Sequence, residues 1–162
     1  MRYLQILILI IVSSFLFLAC PNEKKNSEPD ANTLLLSALI SQRFSCADVK
    51  ANSNSTQLVP FRLVNATGSS SGNYFAYVYV NLTQGQKLSI ASLTTNLTKF
   101  SGFTTYSNCG ASSMSATIFN GSVSTNNFTL TALQTFEGLV GVSALVSNVG
   151  ASPTDVTVQT LP

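Results

Sequence analysis

Histidine and tryptophan are absent from this chain of 162 residues, and charged residues make up only 9% of it. Without histidine, general acid and base catalysis would fall on carboxylates. Beyond residue 42 these are limited to Asp48, Glu137 and Asp155, which lie far apart in the sequence. There is also no CxxC pair and no acidic run with the spacing of a calcium-binding loop. The sequence therefore predicts a protein that is not an enzyme, with no catalytic residue, no bound metal and no cofactor.

Basic residues are equally sparse. Beyond residue 42 the chain has Arg43, Lys50, Arg62, Lys87 and Lys99, and these form no cluster. Because nucleic-acid binding needs a basic patch or stripe, the sequence predicts no nucleic-acid partner. Serine, threonine and asparagine fill most polar positions instead, a composition typical of exported β proteins.

The N-terminus has the three-part layout of a secretory signal peptide, with Arg2, an apolar stretch over residues 6–18 and the small residue Ala19. Cys20 follows at once. The run LFLAC, residues 16–20, resembles the lipobox of bacterial lipoproteins in the looser form typical of spirochaetes, and of leptospires in particular. The resemblance implies removal of a signal peptide 1–19 and acylation of Cys20 by chains such as palmitate, which would anchor the protein to a membrane.

Two alternatives remain for this segment. An uncleaved membrane helix over residues 3–19 would be slightly short of the ~20 apolar residues that a bilayer crossing needs. A secretory signal that is cleaved without acylation is the other alternative. With the lipobox, the predicted location is the outer membrane, on the surface or the periplasmic face.

Residues 20–32 follow as a lipidated cysteine and a flexible tether, because residues 21–32 (PNEKKNSEPDAN) combine proline, mixed charge and almost no apolar side chain. Residues 33–162 are enough for a single domain. A short helix is predicted to open it, since Leu36, Ile40 and Phe44 recur at helical spacing.

Beyond Cys46 the apolar pattern changes to a period of two, which predicts strands. The predicted strands cover residues 57–64, 74–82, 87–93, 113–119, 128–133, 139–146 and 155–160. Turn signals separate them, including Asn120-Gly121 and Asn126-Asn127. Pro60 removes a backbone donor from the first strand and predicts an edge or a bulge there. The pattern predicts a mainly β domain, a β-sandwich of seven to eight antiparallel strands.

Two segments, YVYVNLTQGQKLSIASL from residue 77 and EGLVGVSALVSNVGASPTDVTV from residue 137, resemble the bacterial pre-peptidase C-terminal domain. The likeness covers residues 74–160 at most. It implies a β-sandwich. The acidic central motif of that family is missing here, so the resemblance carries over no calcium role.

Cys46 and Cys109 are the only cysteines beyond Cys20, and an exported protein meets compartments in which disulfides persist. We therefore predict a disulfide between them. Two buried free thiols are the alternative. A reactive pair is disfavoured, because no basic cluster is present to lower a thiol pKa.

Aromatic residues supply the candidate ligand contacts. Phe75, Tyr77 and Tyr79 alternate along one predicted strand and therefore share one face, as core residues or as an exposed stacking row. The core interpretation is favoured for them. Three more aromatic residues, Phe100, Phe103 and Tyr106, fall in a predicted loop over residues 99–110 that is the better candidate for a ligand contact.

These features together predict a membrane-anchored surface or envelope lipoprotein that acts as a non-catalytic binding module. Leptospiral surface lipoproteins are often adhesins, so the resemblance implies a host protein as the leading partner. A structural or accessory subunit that pairs with an envelope protein is one alternative, and a carbohydrate-binding module with a glycan partner is another.

Overall fold

A computed structural model describes residues 38, 39, 42–64, 72–114 and 117–162. The predicted signal peptide, Cys20, the tether and most of the predicted opening helix lie outside these residues. Within the described part, no helix is long and apolar enough to cross a bilayer. The described residues form ten strands: β1 (Val49–Lys50), β2 (Gln57–Leu58), β3 (Arg62–Val64), β4 (Asn73–Leu82), β5 (Lys87–Ala91), β6 (Phe100–Tyr106), β7 (Phe119–Val123), β8 (Asn127–Ala132), β9 (Phe136–Leu145) and β10 (Thr157–Leu161). A 3-10 turn (Leu97–Lys99) precedes β6, and one helical turn (Val146–Val149) follows β9.

The strands form two sheets of five, which confirms the mainly β prediction. Sheet 1 has the order β1-β4-β9-β6, with β3 also paired to β4. Sheet 2 has the order β2-β10-β5-β8-β7. All pairs are antiparallel except β1 with β4, which is parallel.

Side chains from both sheets join one hydrophobic core. On β4 the alternation is strict, so that Ala76, Val78 and Val80 are fully buried while the residues between them are half-buried. β9 is buried on both faces along most of its length. Strands of this kind belong in the middle of a sheet, and β4 and β9 are indeed neighbours there.

The predicted strand over residues 57–64 is wrong as a single element, because the chain changes sheets within it. β2 pairs with β10 in sheet 2, whereas β3 pairs with β4 in sheet 1. Pro60 lies between them and has no N–H to give to either ladder. The buried Val59 beside it donates its N–H to the Val156 carbonyl, 2.9 Å away. Edge placement is confirmed for β2, which ends sheet 2.

Two further predictions are wrong. The strand expected over residues 113–119 begins only at Phe119 and runs through the Asn120-Gly121 pair that was expected to turn. The loop expected over residues 99–110 is largely strand β6, paired with β9. A bulge between Phe100 and Gly102 hides this strand from pattern analysis, since it inserts one residue and shifts the alternation.

Candidate functional site

The outer face of sheet 1, which points away from sheet 2, carries the aromatic row of β4. Phe75, Tyr77 and Tyr79 all lie on this face and are half-buried. The favoured interpretation as core residues is therefore wrong. Small and β-branched residues such as Ala76 and Val78 take the inward positions instead.

Tyr106 of β6 joins this row across β9. Its ring meets the Tyr77 ring at a centroid distance of 5.4 Å and 86°, and Tyr77 in turn meets Phe75 at 4.7 Å and 82°. Gly141 on the intervening strand makes the contact possible. A Cβ atom there would lie 2.9 Å from the Phe75 ring and 3.0 Å from the Tyr106 ring.

Arg62 lies over the Tyr77 ring, with its guanidinium carbon 5.7 Å from the ring centroid. Asp48 holds it there through an ion pair of 3.5 Å. The Asp48 carboxylate is itself fixed, because it accepts the Tyr77 N–H at 2.7 Å while the Asp48 N–H donates to the Tyr77 carbonyl at 2.9 Å. The Arg62 side chain remains 50% exposed, whereas Asp48 is 17% exposed. The Arg62 guanidinium is therefore held in place by Asp48 and still open to solvent.

A groove of about 500 Å³ lies between these groups. Its lining includes Arg62, Asn73, Phe75, Tyr77, Tyr106 and Ser143. Burial raises the pKa of Tyr106, and the neighbouring Tyr77 adds to this effect. Tyr106 is thus a neutral phenol at physiological pH, so the groove combines ring faces with neutral donors and one cation.

Tyr79 lies farther along the same row. Its hydroxyl donates to the Glu137 carboxylate at 2.9 Å, and the Phe44 ring packs against it at a centroid distance of 4.8 Å. The Lys50 ammonium lies 5.3 Å from its ring centroid. Burial first, and then the Glu137 carboxylate, raise the pKa of Tyr79 to about 12.

Phe100 and Phe103 are separated from this row, because they point to the opposite face of sheet 1. Both pack against the core. The Phe100 ring contacts Phe61 at a centroid distance of 5.7 Å, and the Phe103 ring stacks on Phe128 of sheet 2 at 3.6 Å. Of the predicted ligand contacts, the structure therefore brings together Tyr77, Tyr79 and Tyr106.

Cys46 and Cys109 lie at disulfide distance, with their sulfur atoms 2.12 Å apart. The Cys109 N–H also donates to the Arg43 carbonyl at 2.8 Å. Together these contacts tie the segment that carries Phe44 to the end of β6. Phe44 is thereby held against Tyr79 on the outer face.

Asp155 anchors the loop that follows β5. Its carboxylate accepts hydrogen bonds from the hydroxyls of Ser92, Thr94 and Thr95 and from three backbone amides of the same loop. Burial alone would raise the pKa of Asp155, but these bonds outweigh it and hold the pKa well below its usual range. In the described residues no group of three metal-ligating side chains occurs.

No family model, curated protein or solved structure matches this chain. What the groove binds must therefore be inferred from its own residues.

Sequence reasoning missed Arg62 and Asp48 as parts of the site. They meet only because β3 and β1 both pair with β4, which places Arg62 opposite Phe75 and Val49 opposite Val78. Neither residue belongs to a motif. The sequence offers one signal for this ion pair: in a chain with few charged residues, a carboxylate and a guanidinium occur 14 positions apart.

Proposed function

We propose that this chain is a membrane-anchored bacterial lipoprotein whose domain, residues 33–162, is a β-sandwich that binds a protein ligand through the groove on sheet 1. Cys20 would carry the acyl chains after removal of residues 1–19, and residues 20–32 would act as the tether. The domain would face the surface or the periplasm from the outer membrane.

The observation that carries the binding role is Arg62, held over Tyr77 by Asp48 at the edge of an aromatic groove. Arginine and tyrosine are enriched at the energetic centres of protein interfaces, because both bury a flat apolar surface and still make hydrogen bonds. Asp48 restricts Arg62 before any ligand arrives, so less side-chain entropy is lost on binding. A carboxylate on the ligand is the natural partner for the guanidinium donors that Asp48 leaves free.

Ring geometry favours a protein over a glycan. Sugar-stacking sites present an exposed flat aromatic platform, whereas the rings of this row meet at 82° and 86°. An adhesin for a host matrix or plasma protein is the leading form of the proposal. An accessory subunit that binds an envelope protein would use the same groove.

The carboxylates favour binding over catalysis. Asp48 supports Arg62, Glu137 accepts the Tyr79 hydroxyl, and Asp155 holds its loop. Each acidic side chain of the domain therefore has a structural partner already. A general acid or base needs a carboxylate directed at a substrate instead.

Binding is tested with Arg62→Ala and Tyr106→Ala against a panel of immobilised matrix and plasma proteins and, in parallel, of glycans. Lys87→Ala is the matched control, because it removes the same charge from an exposed position on sheet 2. We expect the two groove variants to lose at least about tenfold in affinity, which corresponds to 1.4 kcal/mol, and the control to lose none. Equal loss in all three variants would reject the groove as the site.

Anchoring is tested separately by labelling cells with a palmitate analogue. Cys20→Ser should abolish the label, while the double variant Cys46→Ser/Cys109→Ser should keep it. Protease treatment of intact cells, with a periplasmic protein as the leakage control, then assigns the face. A wild-type chain without label would remove the lipoprotein proposal and leave the groove proposal standing.

A further inference from the structure

Strand β7 forms one edge of sheet 2 and is exposed along almost its whole length. Its pairing with β8 fixes which backbone groups are free. Leu133 donates its N–H to Ile118, and Ser124 donates its N–H to Asn127, so the even-numbered residues of β7 bond to β8. The N–H and C=O groups of Phe119, Gly121 and Val123 therefore point away from the sheet. Among the described residues, none bonds to them.

The other edges of the two sheets carry protection that β7 lacks. β1 and β3 contain Lys50 and Arg62, and β2 is two residues long and followed by Pro60. The Met114 N–H bonds to the Thr105 carbonyl alongside β6. Lysine, proline and short length are the usual devices that keep strand edges from pairing with other chains. No charged residue occurs in the sequence between Lys99 and Glu137, and the five residues of β7 include no proline, so β7 has neither charge nor proline to protect its edge.

We propose that β7 pairs with β7 of a second copy of this chain, antiparallel and across a two-fold axis through Gly121. In this register Phe119 lies opposite Val123 of the second copy, and Asn120 lies opposite Ser122. Apolar residues thus meet on the core side, and polar residues meet on the solvent side. The free backbone groups also match. In an antiparallel ladder, the two residues of a hydrogen-bonded pair exchange two bonds, and Phe119, Gly121 and Val123 all fall at such pairs in this register.

Self-pairing explains why β7 has no charged residue and why the apolar side chain of Val123 is exposed. Val123 is 54% exposed in the isolated chain and would be covered by Phe119 of the second copy. A two-fold interface must be complementary to itself, which a strand with like charges cannot be. Five residues from each copy bury much less than the ~1,200 Å² of a stable interface, so we expect a weak dimer.

The test is sedimentation velocity of the full chain in detergent over a wide concentration range. Asn120→Lys/Ser122→Lys places like charges opposite each other twice in the proposed register. Asn120→Glu/Ser122→Lys places opposite charges there instead. We expect the first variant to raise the Kd of the dimer at least about tenfold. The second should leave the Kd unchanged or lower it. Gln84→Lys/Thr154→Lys adds the same charge at exposed positions outside β7 and should leave the Kd within about threefold of wild type.

Three results would overturn the proposal. One is a wild-type chain that stays monomeric at every concentration. Another is an equal loss in the Lys/Lys and Glu/Lys variants, which would exclude this register. The third is an equal loss in the Gln84/Thr154 control, which would show that net charge and not β7 governs association. Thermal unfolding followed by circular dichroism at low concentration confirms that each variant is folded.

Discussion

Phe103 and Phe128 stack face to face between the two sheets, with their ring centroids 3.6 Å apart and 9° between their planes. One ring comes from an edge strand of sheet 1 and the other from β8 of sheet 2. Side-chain stacking thus joins the two sheets at this point. Phe103 is for this reason a stability residue, in contrast to Tyr106 on the same strand.

Truncation separates the two roles. We expect Phe103→Ala to lower the free energy of unfolding by about 2 to 3 kcal/mol, because it removes a partly buried ring and leaves a cavity beside Phe128. Tyr106→Ala should cost only about 1 kcal/mol, since the ring has one edge-to-face contact and an exposed side. Urea unfolding followed by circular dichroism measures both. Similar losses for the two variants would contradict the assignment of Phe103 to the core.

The disulfide between Cys46 and Cys109 closes a loop of 63 residues. Closing a loop of this length is expected to stabilise the fold by about 4 kcal/mol through the entropy of the unfolded chain. Reduction should lower the urea midpoint accordingly, and Cys46→Ser/Cys109→Ser should show the lower midpoint with or without reductant. Mass analysis without reductant checks the bond itself. Two free thiols at positions 46 and 109 in the native chain would be incompatible with it.

Asp155 gives the fold a specific pH dependence. Its pKa is lowered in the folded chain, so its stabilisation is fully present above the unfolded pKa of about 3.9 and is lost as the pH falls below that value. We expect Asp155→Asn to lower the free energy of unfolding by about 3 kcal/mol at neutral pH. The amide NH₂ of asparagine cannot accept hydrogen bonds from the hydroxyl and backbone N–H groups that surround it. The difference in the free energy of unfolding between wild type and variant should become smaller below about pH 4.

Urea unfolding at several pH values measures this gap. Glu137→Gln is the matched control, since Glu137 is an exposed carboxylate that accepts one hydrogen bond, from the Tyr79 hydroxyl. A difference between wild type and Asp155→Asn that stays constant from neutral to acid pH would refute the role of the Asp155 charge.

Tyr79 should ionise at a higher pH than an ordinary tyrosine does. Its raised folded pKa means that its contribution to stability is present below the unfolded value of about 10 and is lost as the pH rises through about 12. Absorbance titration of tyrosinate should show a component near pH 12 that Tyr79→Phe removes. Glu137→Gln should shift that component to lower pH while leaving it above 10, because burial remains. An unchanged titration in Tyr79→Phe would assign the late component to another residue.

The sequence was sufficient for strands with regular alternation and failed where packing changes the pattern. β4 and β9 were predictable as central strands. Gly121 was not predictable as a strand residue, because Asn-Gly is a strong turn signal. In the structure it lies in β7, where a Cβ atom would be 3.3 Å from the Phe128 ring. A side chain at this position would need the Phe128 ring to move by a few tenths of an ångström, so the glycine suits the packing of β7 on β8 and not a turn.

The candidate site was predictable only in part. Alternation places Tyr77 and Tyr79 on one face, but it does not say which face, because an aromatic row suits a core equally well. The distance between the two sheets decides which face of the strand points inward. Here the space between them is filled by small side chains such as Ala76 and Val78. Arg62 joins the site through the register of β3 on β4, which becomes known only when the sheet is known.

The Cys46–Cys109 bond also determines how tension enters the fold. A pull on the N-terminal end of the chain reaches Cys46 before it reaches β1, a strand of only two residues that is held by its pairing with β4. The bond carries part of that load to Cys109, just beyond β6 on the opposite edge of sheet 1. Both edges then resist together, so β1 is not peeled away alone. If the chain is tethered and binds its ligand as proposed, this arrangement would let the groove stay intact under shear.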